Sequence, residues 1–358
     1  MTMWTDEQRA AREAAVIDGL ERRRAVAVAS AEAAADLLGW LGAQRQARSY
    51  RRTASTTSRD RQSDAILAAL DRYLATLESI DRRADEQLAA ADPDAVADAR
   101  RRLGLRVAMI GKGGAGKTVI SSTLARTLAR RGRKVFAADL DTCPGLAISL
   151  GLAPTDAGLP AEAVEESAAG MYGWQLAGGI SPEEAVERFA AVAPDGVRFL
   201  GLGKIGAVDT ATGRSTIDKD ETRRSVAAIL QILLGFSAPD WDVIADLEAG
   251  PTTPFERYHG FSEDVVVVVG PAWRSAMTAR RLLPMVEARR SIIVANRFRD
   301  EPDHPGLSPA IRVPYDPDLT QAEREGLSPI DAVPDSPAVA AIARLADLLT
   351  GQPVPAAG

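Results

Sequence analysis

In the stretch IGKGGAGKTVISS, Ile110 to Ser122, the pattern G-x-x-x-x-G-K-T places Lys117 and Thr118 where a loop wraps the phosphates of a nucleoside triphosphate. Gly113, Gly114 and Gly116, with Ala115 among them, let backbone N–H groups curl around the phosphates. Thr118 and Val119 begin a helix whose N-terminus adds its positive dipole end. Lys117 neutralises β- and γ-phosphate oxygens, and the Thr118 hydroxyl is set to ligate Mg2+. Lys112 is surplus to that chemistry, in a chain with five lysines among 43 basic residues.

A phosphate loop that handles Mg2+ needs carboxylates on neighbouring strands. DVIADLEAG supplies Asp246 after a short apolar run, the expected position for holding the metal through water. VFAADLDTCPG places Asp139 and Asp141 two residues apart at the end of another strand. Ligands of open α/β sheets bind at that carboxyl edge. Alternate strand residues share a direction, so continued extension would bring both carboxylates to the γ-phosphate and the attacking water. Asp141 is the candidate for orienting that water, and Asp139 for assisting at the metal.

These residues depend on strands that alternate with helices. From Leu105 the order is strand LRVAMIG, loop, helix KTVISSTLARTLARRG and strand KVFAADL, then a less regular stretch to about 195. VRFLGLG, a helix near 221–234 and strands DVIADL, DVVVVVG and SIIVANR follow. Each strand is a continuous apolar run, which predicts an α/β fold with a mainly parallel sheet covered on both faces. Residues 1–104 read differently: rich in Ala, Arg, Asp and Glu and lacking lysine, they predict an all-α hairpin or coiled-coil module ahead of a 105–358 domain. Its seam would be Leu67, Leu70, Leu74, Leu77, Ala84 and Leu88. Between the helices, Arg45, Arg48, Arg51, Arg52, Arg59 and Arg61 form a basic loop able to meet nucleic-acid phosphates or an acidic partner.

Composition narrows the classes. The net charge of −6 argues against a surface given over wholly to nucleic acid. One cysteine, Cys143, excludes an internal disulfide and a cysteine-only metal site within one chain, and a cytoplasmic location is expected. No secretory pattern opens the sequence, and no apolar run is long enough to span a bilayer.

GKGGAGKT followed by DLD resembles the deviant Walker A ATPases, the group of MinD, ParA and the nitrogenase iron protein, in which the early lysine is a signature. Further along, VFAADLDTCPGLAISLGL, WDVIADLEAG, VVVVVGPAWRSAMTARRL, IIVANRF and VPYDPDLTQAEREGLSPID are similar, in order, to landmarks of CooC-type ATPases over about Leu105 to Leu349. The resemblance implies ATP and Mg2+ as ligands and a homodimer closed around two ATP molecules. It gives Lys112 the nucleotide of the other subunit, and Asp139 and Asp141 the switch I roles. It assigns adenine recognition to Asn296, with Pro314 lining the base, and maps an Asp-x-Glu-Ala-Gly run to Asp246, Glu248 and Gly250. One departure stands out: the Cys-x-Cys metal pair of CooC proteins is missing from STIDKDETRRSVAAILQILLGFSAPDW, so nickel delivery is not implied.

The resulting expectation is a slow, partner-stimulated ATPase switch that meets a protein client through residues 1–104. The tail AVAAIARLADLLTGQPVPAAG has one basic residue, Arg344, and does not read as a membrane anchor. Two alternatives stand beside it. One is a ParA-like positioning ATPase that binds nonspecific DNA through Arg45–Arg61, and the other is a nucleotide-binding scaffold that does not hydrolyse.

Overall fold

The computed structural model describes residues 104–351 apart from 142–144, 154–157, 172, 204–206, 209–214, 217–218, 239, 249–257 and 287–289. The helical module, the arginine loop, Cys143 and Gly250 lie outside the described residues.

An eight-stranded sheet carries the structure. Its strands are β1 (Arg106–Gly111), β2 (Lys134–Leu140), β3 (Ala191–Val192), β4 (Arg198–Gly201), β5 (Trp241–Leu247), β6 (Asp264–Val269), β7 (Arg290–Phe298) and β8 (Ile311–Pro314). The helices are α1 (Lys117–Arg130), α2 (Leu146–Ser149), α3 (Pro182–Phe189), α4 (Lys219–Gly235), α5 (Trp273–Leu282), α6 (Pro317–Arg324), α7 (Pro329–Ala332) and α8 (Pro337–Thr350). In space the strand order is β8-β7-β6-β1-β5-β2-β4-β3, with every pairing parallel except β3 against β4. A separate antiparallel hairpin, Val164–Met171 with Trp174–Leu176, occupies part of the stretch whose pattern was irregular.

The apolar runs are continuous because both faces of the sheet are covered. In β1, Val107 and Met109 belong to the cluster with Leu124, Leu128, Ile342 and Leu345 of α1 and α8, whereas Ala108 and Ile110 belong to the cluster with Ile229 and Leu233 of α4. The same alternation splits Val266 and Val268 from Val265 and Val267 in β6. With a two-residue period, a strand buried on both sides has no polar side to show. Strand β8 was not anticipated. Pro314 ends it on an edge strand, where the missing N–H does no harm.

The tail forms helix α8, capped by the Ser336 hydroxyl, which accepts from the N–H groups of Ala338 and Val339. Its apolar stripe, Ile342, Leu345, Ala346 and Leu349, is buried in the same core as α1. No helix among the described residues is long and apolar enough to cross a membrane.

Helix α1 is fastened well beyond the phosphate loop. Arg126, 2% exposed, donates to Asp195, to both carboxylate oxygens of Asp331 at 2.9 and 3.0 Å, and to Leu150 O at 2.9 Å. Arg130 reaches the same two aspartates. Burial opposes ionisation of Asp195 and Asp331, but the Arg126 hydrogen bonds and the two nearby guanidinium charges outweigh it and hold both carboxyls below the usual range. One buried arginine thus joins α1 to the end of α2, to the turn before β4 and to α7.

Candidate functional site

The loop between β1 and α1 crosses the carboxyl edge of the sheet. Gly111 leaves β1 at φ 150°, and a Cβ there would fall 2.5 Å from Val268 O of β6, so the close approach of two strands demands glycine. Gly116 caps α1 in the left-handed region at φ 94°, with no side chain bonded to the first-turn amides. Those N–H groups and the helix dipole make an anion site.

Behind the loop, charges collect. Lys117 is 5% exposed, and its Nζ lies 3.8 Å from Asp141 Oδ2. Thr118 Oγ1 donates to Asp246 Oδ2 at 2.5 Å. Asp246 and Asp139 are direct partners in the β2–β5 register, and both are completely buried. Burial, the Asp139 charge beside it and Asp141 raise the Asp246 carboxyl, and Lys117 and the Thr118 hydroxyl offset part of this, leaving it raised to about 7. Asp246 Oδ1 is buried and has no hydrogen-bond partner among the described residues. A carboxylate so placed, beside a threonine hydroxyl that can turn its lone pair outward, fits a hard divalent cation or its bound water.

Asp139 differs from expectation. Strand β2 stops at Leu140, so the extended alternation that would have aimed Asp139 and Asp141 together does not continue. Asp139 Oδ1 accepts from Asp141 N at 3.0 Å, and Oδ2 accepts from Gly145 N at 3.1 Å and Leu146 N at 2.9 Å. It therefore holds the loop leading into α2, while Asp141 faces Lys117. Burial pushes the Asp139 carboxyl up to about 6 despite those three amides.

Two depressions flank the loop. A small one brings together Val119, Asn296, Val313, Pro314 and Thr320, so the residues assigned to a base by resemblance do meet. Asn296 is 5% exposed, however, and its Nδ2 donates to Ala115 O at 2.7 Å, so its amide is engaged with the loop itself. On the other side an open cleft of about 370 Å³ is lined by Lys112, Gly113, Pro271, Ser275, Arg299 and Tyr315. Lys112 Nζ bonds Gly113 O at 3.3 Å and sits at this mouth, away from the Lys117 cluster. Glu248 follows β5 and is half-buried.

Sequence reading did not single out Arg297 or Arg126. Arg297 has φ 63°, donates to Gly114 O at 3.3 Å and pairs with Glu323 of α6 at 2.7 Å. The Asn-Arg pair after a late strand was visible, but a left-handed arginine leaves no mark in composition or period.

A strand, a glycine-rich turn, an uncapped helix and buried carboxylates on β5 and, next to it, β2 define a phosphate-loop nucleotide-binding domain. Residues 107–343 match the CobQ/CobB/MinD/ParA nucleotide binding domain, and the chain belongs to that family. It is 27% identical over 244 residues to an uncharacterized ATP-binding protein of Methanocaldococcus jannaschii, covering 61% of this chain and 88% of that one. Its fold is similar to that of the septum site-determining protein MinD of Pyrococcus horikoshii, solved with Mg-ADP. The TM-score there is 0.50 at 17% identity, over 69% of this chain and 96% of that one. A ParA family ATPase from Chlorobium tepidum aligns with a TM-score of 0.49 and 17% identity, over 68% of this chain and 98% of that one.

Proposed function

We propose that this protein is a Mg2+-dependent ATPase switch of the deviant Walker A kind, similar in landmarks to CooC-type ATPases but without their cysteine pair. The observation that carries the reading is Asp246, whose buried carboxylate takes the Thr118 hydroxyl on one oxygen and leaves the other without a partner among the described residues, next to Lys117 at the uncapped start of α1. Thr118 and Asp246 would hold Mg2+, which when bound supplies charge neutralisation to the phosphates. The loop amides and Lys117 bind and orient the phosphate chain, and the Lys117 ammonium stabilises negative charge that grows during transfer. Asp141, 3.8 Å from Lys117 and 20% exposed, is the carboxylate placed to orient water from the solvent side. Asp139 fixes the loop on which Asp141 stands.

Phosphate release by the full chain with Mg2+ and ATP tests the reading. Lys117→Ala should lower turnover by about 100-fold or more, and unchanged hydrolysis would sink it. Lys112 is proposed to act on the nucleotide of a second copy. Lys112→Ala should then spare ATP binding and abolish ATP-dependent dimerisation, measured by sedimentation; loss of binding by the monomer would place its action within one chain. The client is proposed to dock on residues 1–104, and capture experiments with the full chain and with a chain lacking that segment would differ if it does.

A further inference from the structure

The assignment of Asn296 to adenine does not account for what its amide holds. Two consecutive carbonyls of the phosphate loop are gripped by two consecutive residues at the end of β7: Ala115 O by Asn296 Nδ2 at 2.7 Å, and Gly114 O by a guanidinium N–H of Arg297 at 3.3 Å. The β7–β8 pairing shifts register between Asn296 and Phe298, and Arg297 sits in that bulge at φ 63°. A glycine would occupy such a backbone freely, whereas an arginine is disfavoured there. A side chain kept on a backbone that disfavours it points to a use for that side chain.

The opposing surface is shaped for the grip. A Cβ on Gly116 would lie 2.1 Å from Asn296 Nδ2, so the amide fills the space that the glycine leaves. The peptide unit is planar and trans, so a carbonyl and the N–H of the next residue point in opposite directions. Holding Ala115 O toward β7 therefore turns Gly116 N–H away from β7, toward the half of the sheet that carries Asp246 and Asp139. Arg297 is braced in turn by Glu323 of α6, the helix that follows Pro314.

We propose that Asn296 and Arg297 are positioning residues for the phosphate loop, a two-point clamp on Ala115 O and Gly114 O that presents the Gly116 amide to phosphate. This rests on the nucleotide-binding reading above and deepens it: the pair acts on the phosphate chain of any ligand, independently of any contact that the rest of the Asn296 amide makes with a base.

The test compares Mg-ATP with inorganic tripolyphosphate plus Mg2+, which has the phosphates and no base, by calorimetric titration of the full chain. Asn296→Leu removes the donor without changing charge. It should weaken tripolyphosphate by about tenfold, for one buried hydrogen bond, and ATP by at least that factor. Arg297→Ala should weaken both by about threefold or more, with Arg297→Lys, which keeps a donor for Gly114 O, restoring most of the loss. If Asn296→Leu leaves tripolyphosphate binding intact while ATP binding falls, the residue reads the base and the clamp is wrong. Should Asn296→Leu fail to fold, the arginine pair decides: tripolyphosphate affinity equal in wild type and Arg297→Ala overturns the clamp. A wild-type chain that binds neither ligand refutes the nucleotide reading itself, an outcome distinct from a wild-type chain that binds both while the variants do too.

Discussion

Helix α1 carries a buried cation toward each end, and the two are served differently. Arg126 meets two carboxylates that reach it with matched geometry, Asp331 in a bidentate pair, and all four charged groups around Arg126 and Arg130 are engaged with one another. At the other end Lys117 faces Asp141 across 3.8 Å, while Asp139 and Asp246 crowd each other in the sheet and one oxygen of Asp246 has no partner among the described residues. The two cations are comparably buried, but their carboxylates are not: Asp195 and Asp331 are 25% and 46% exposed, whereas Asp139 and Asp246 are completely buried. Where partly exposed carboxylates are matched by guanidinium groups their acidity is increased; where they are fully buried, burial above all, with neighbouring carboxylate charge added, decreases it. The contrast separates charge that is matched within the fold from charge that, on the function proposed above, takes its last partner from outside.

The largest effects should come from breaking the unmatched end. Asp246→Asn keeps the shape, can still take the Thr118 hydroxyl, and removes the anionic charge that suits Mg2+. Steady-state phosphate release should fall by about 100-fold or more. Because one of two adjacent buried carboxylates is neutralised, the thermal midpoint of the nucleotide-free protein should stay level or rise. A variant that loses its stability along with its activity would put Asp246 in the same class as Arg126.

The matched end should break in the opposite manner. Arg126→Leu removes the buried guanidinium and leaves Asp195 and Asp331 with Arg130 alone, and urea unfolding should show a loss of about 2–3 kcal/mol. Nucleotide affinity per folded molecule should be unchanged, because no partner of Arg126 touches the phosphate loop. A drop in affinity without a drop in stability would mean that the two ends of α1 communicate.

How much of this contrast was legible beforehand follows from what each end needs. The phosphate loop, Asp141 and Asp246 are set by local pattern: glycine spacing, a strand before and a helix after, and acids at strand ends. The sheet's interior strands announced themselves because Val and Ile runs buried on both faces have no polar alternation. Asp139 was placed on the correct edge but in the wrong posture, since the end of β2 at Leu140 is a tertiary outcome that the run VFAADLD does not mark. The Arg126 cluster joins residues up to 205 positions apart, and nothing local distinguishes that arginine from its solvated neighbours in LARTLARRG. Strand β8 is four residues ending in proline, too short to register as a period.

The smallest expected effect concerns pH, and it has opposite signs at the two ends. Asp195 and Asp331 are held below their unfolded values, so the stability they contribute is full above about pH 4 and is lost as pH falls through their folded values. Asp139 and Asp246 are raised from 3.8 to about 6 and about 7, so their contribution is full below about pH 4 and is lost as pH rises through 6 to 7. The nucleotide-free protein should therefore show a thermal midpoint that climbs out of acid and then declines toward neutrality. Asp331→Asn should flatten the acid limb alone, and Asp246→Asn the neutral limb alone. Saturating Mg-ATP should also flatten the neutral limb, because a cation beside Asp246 favours the ionised form that burial disfavours. A neutral limb of undiminished size in Asp246→Asn would show that Asp246 does not contribute to the decline, and the distinction between matched and unmatched charge would then fail at the end where it matters for function.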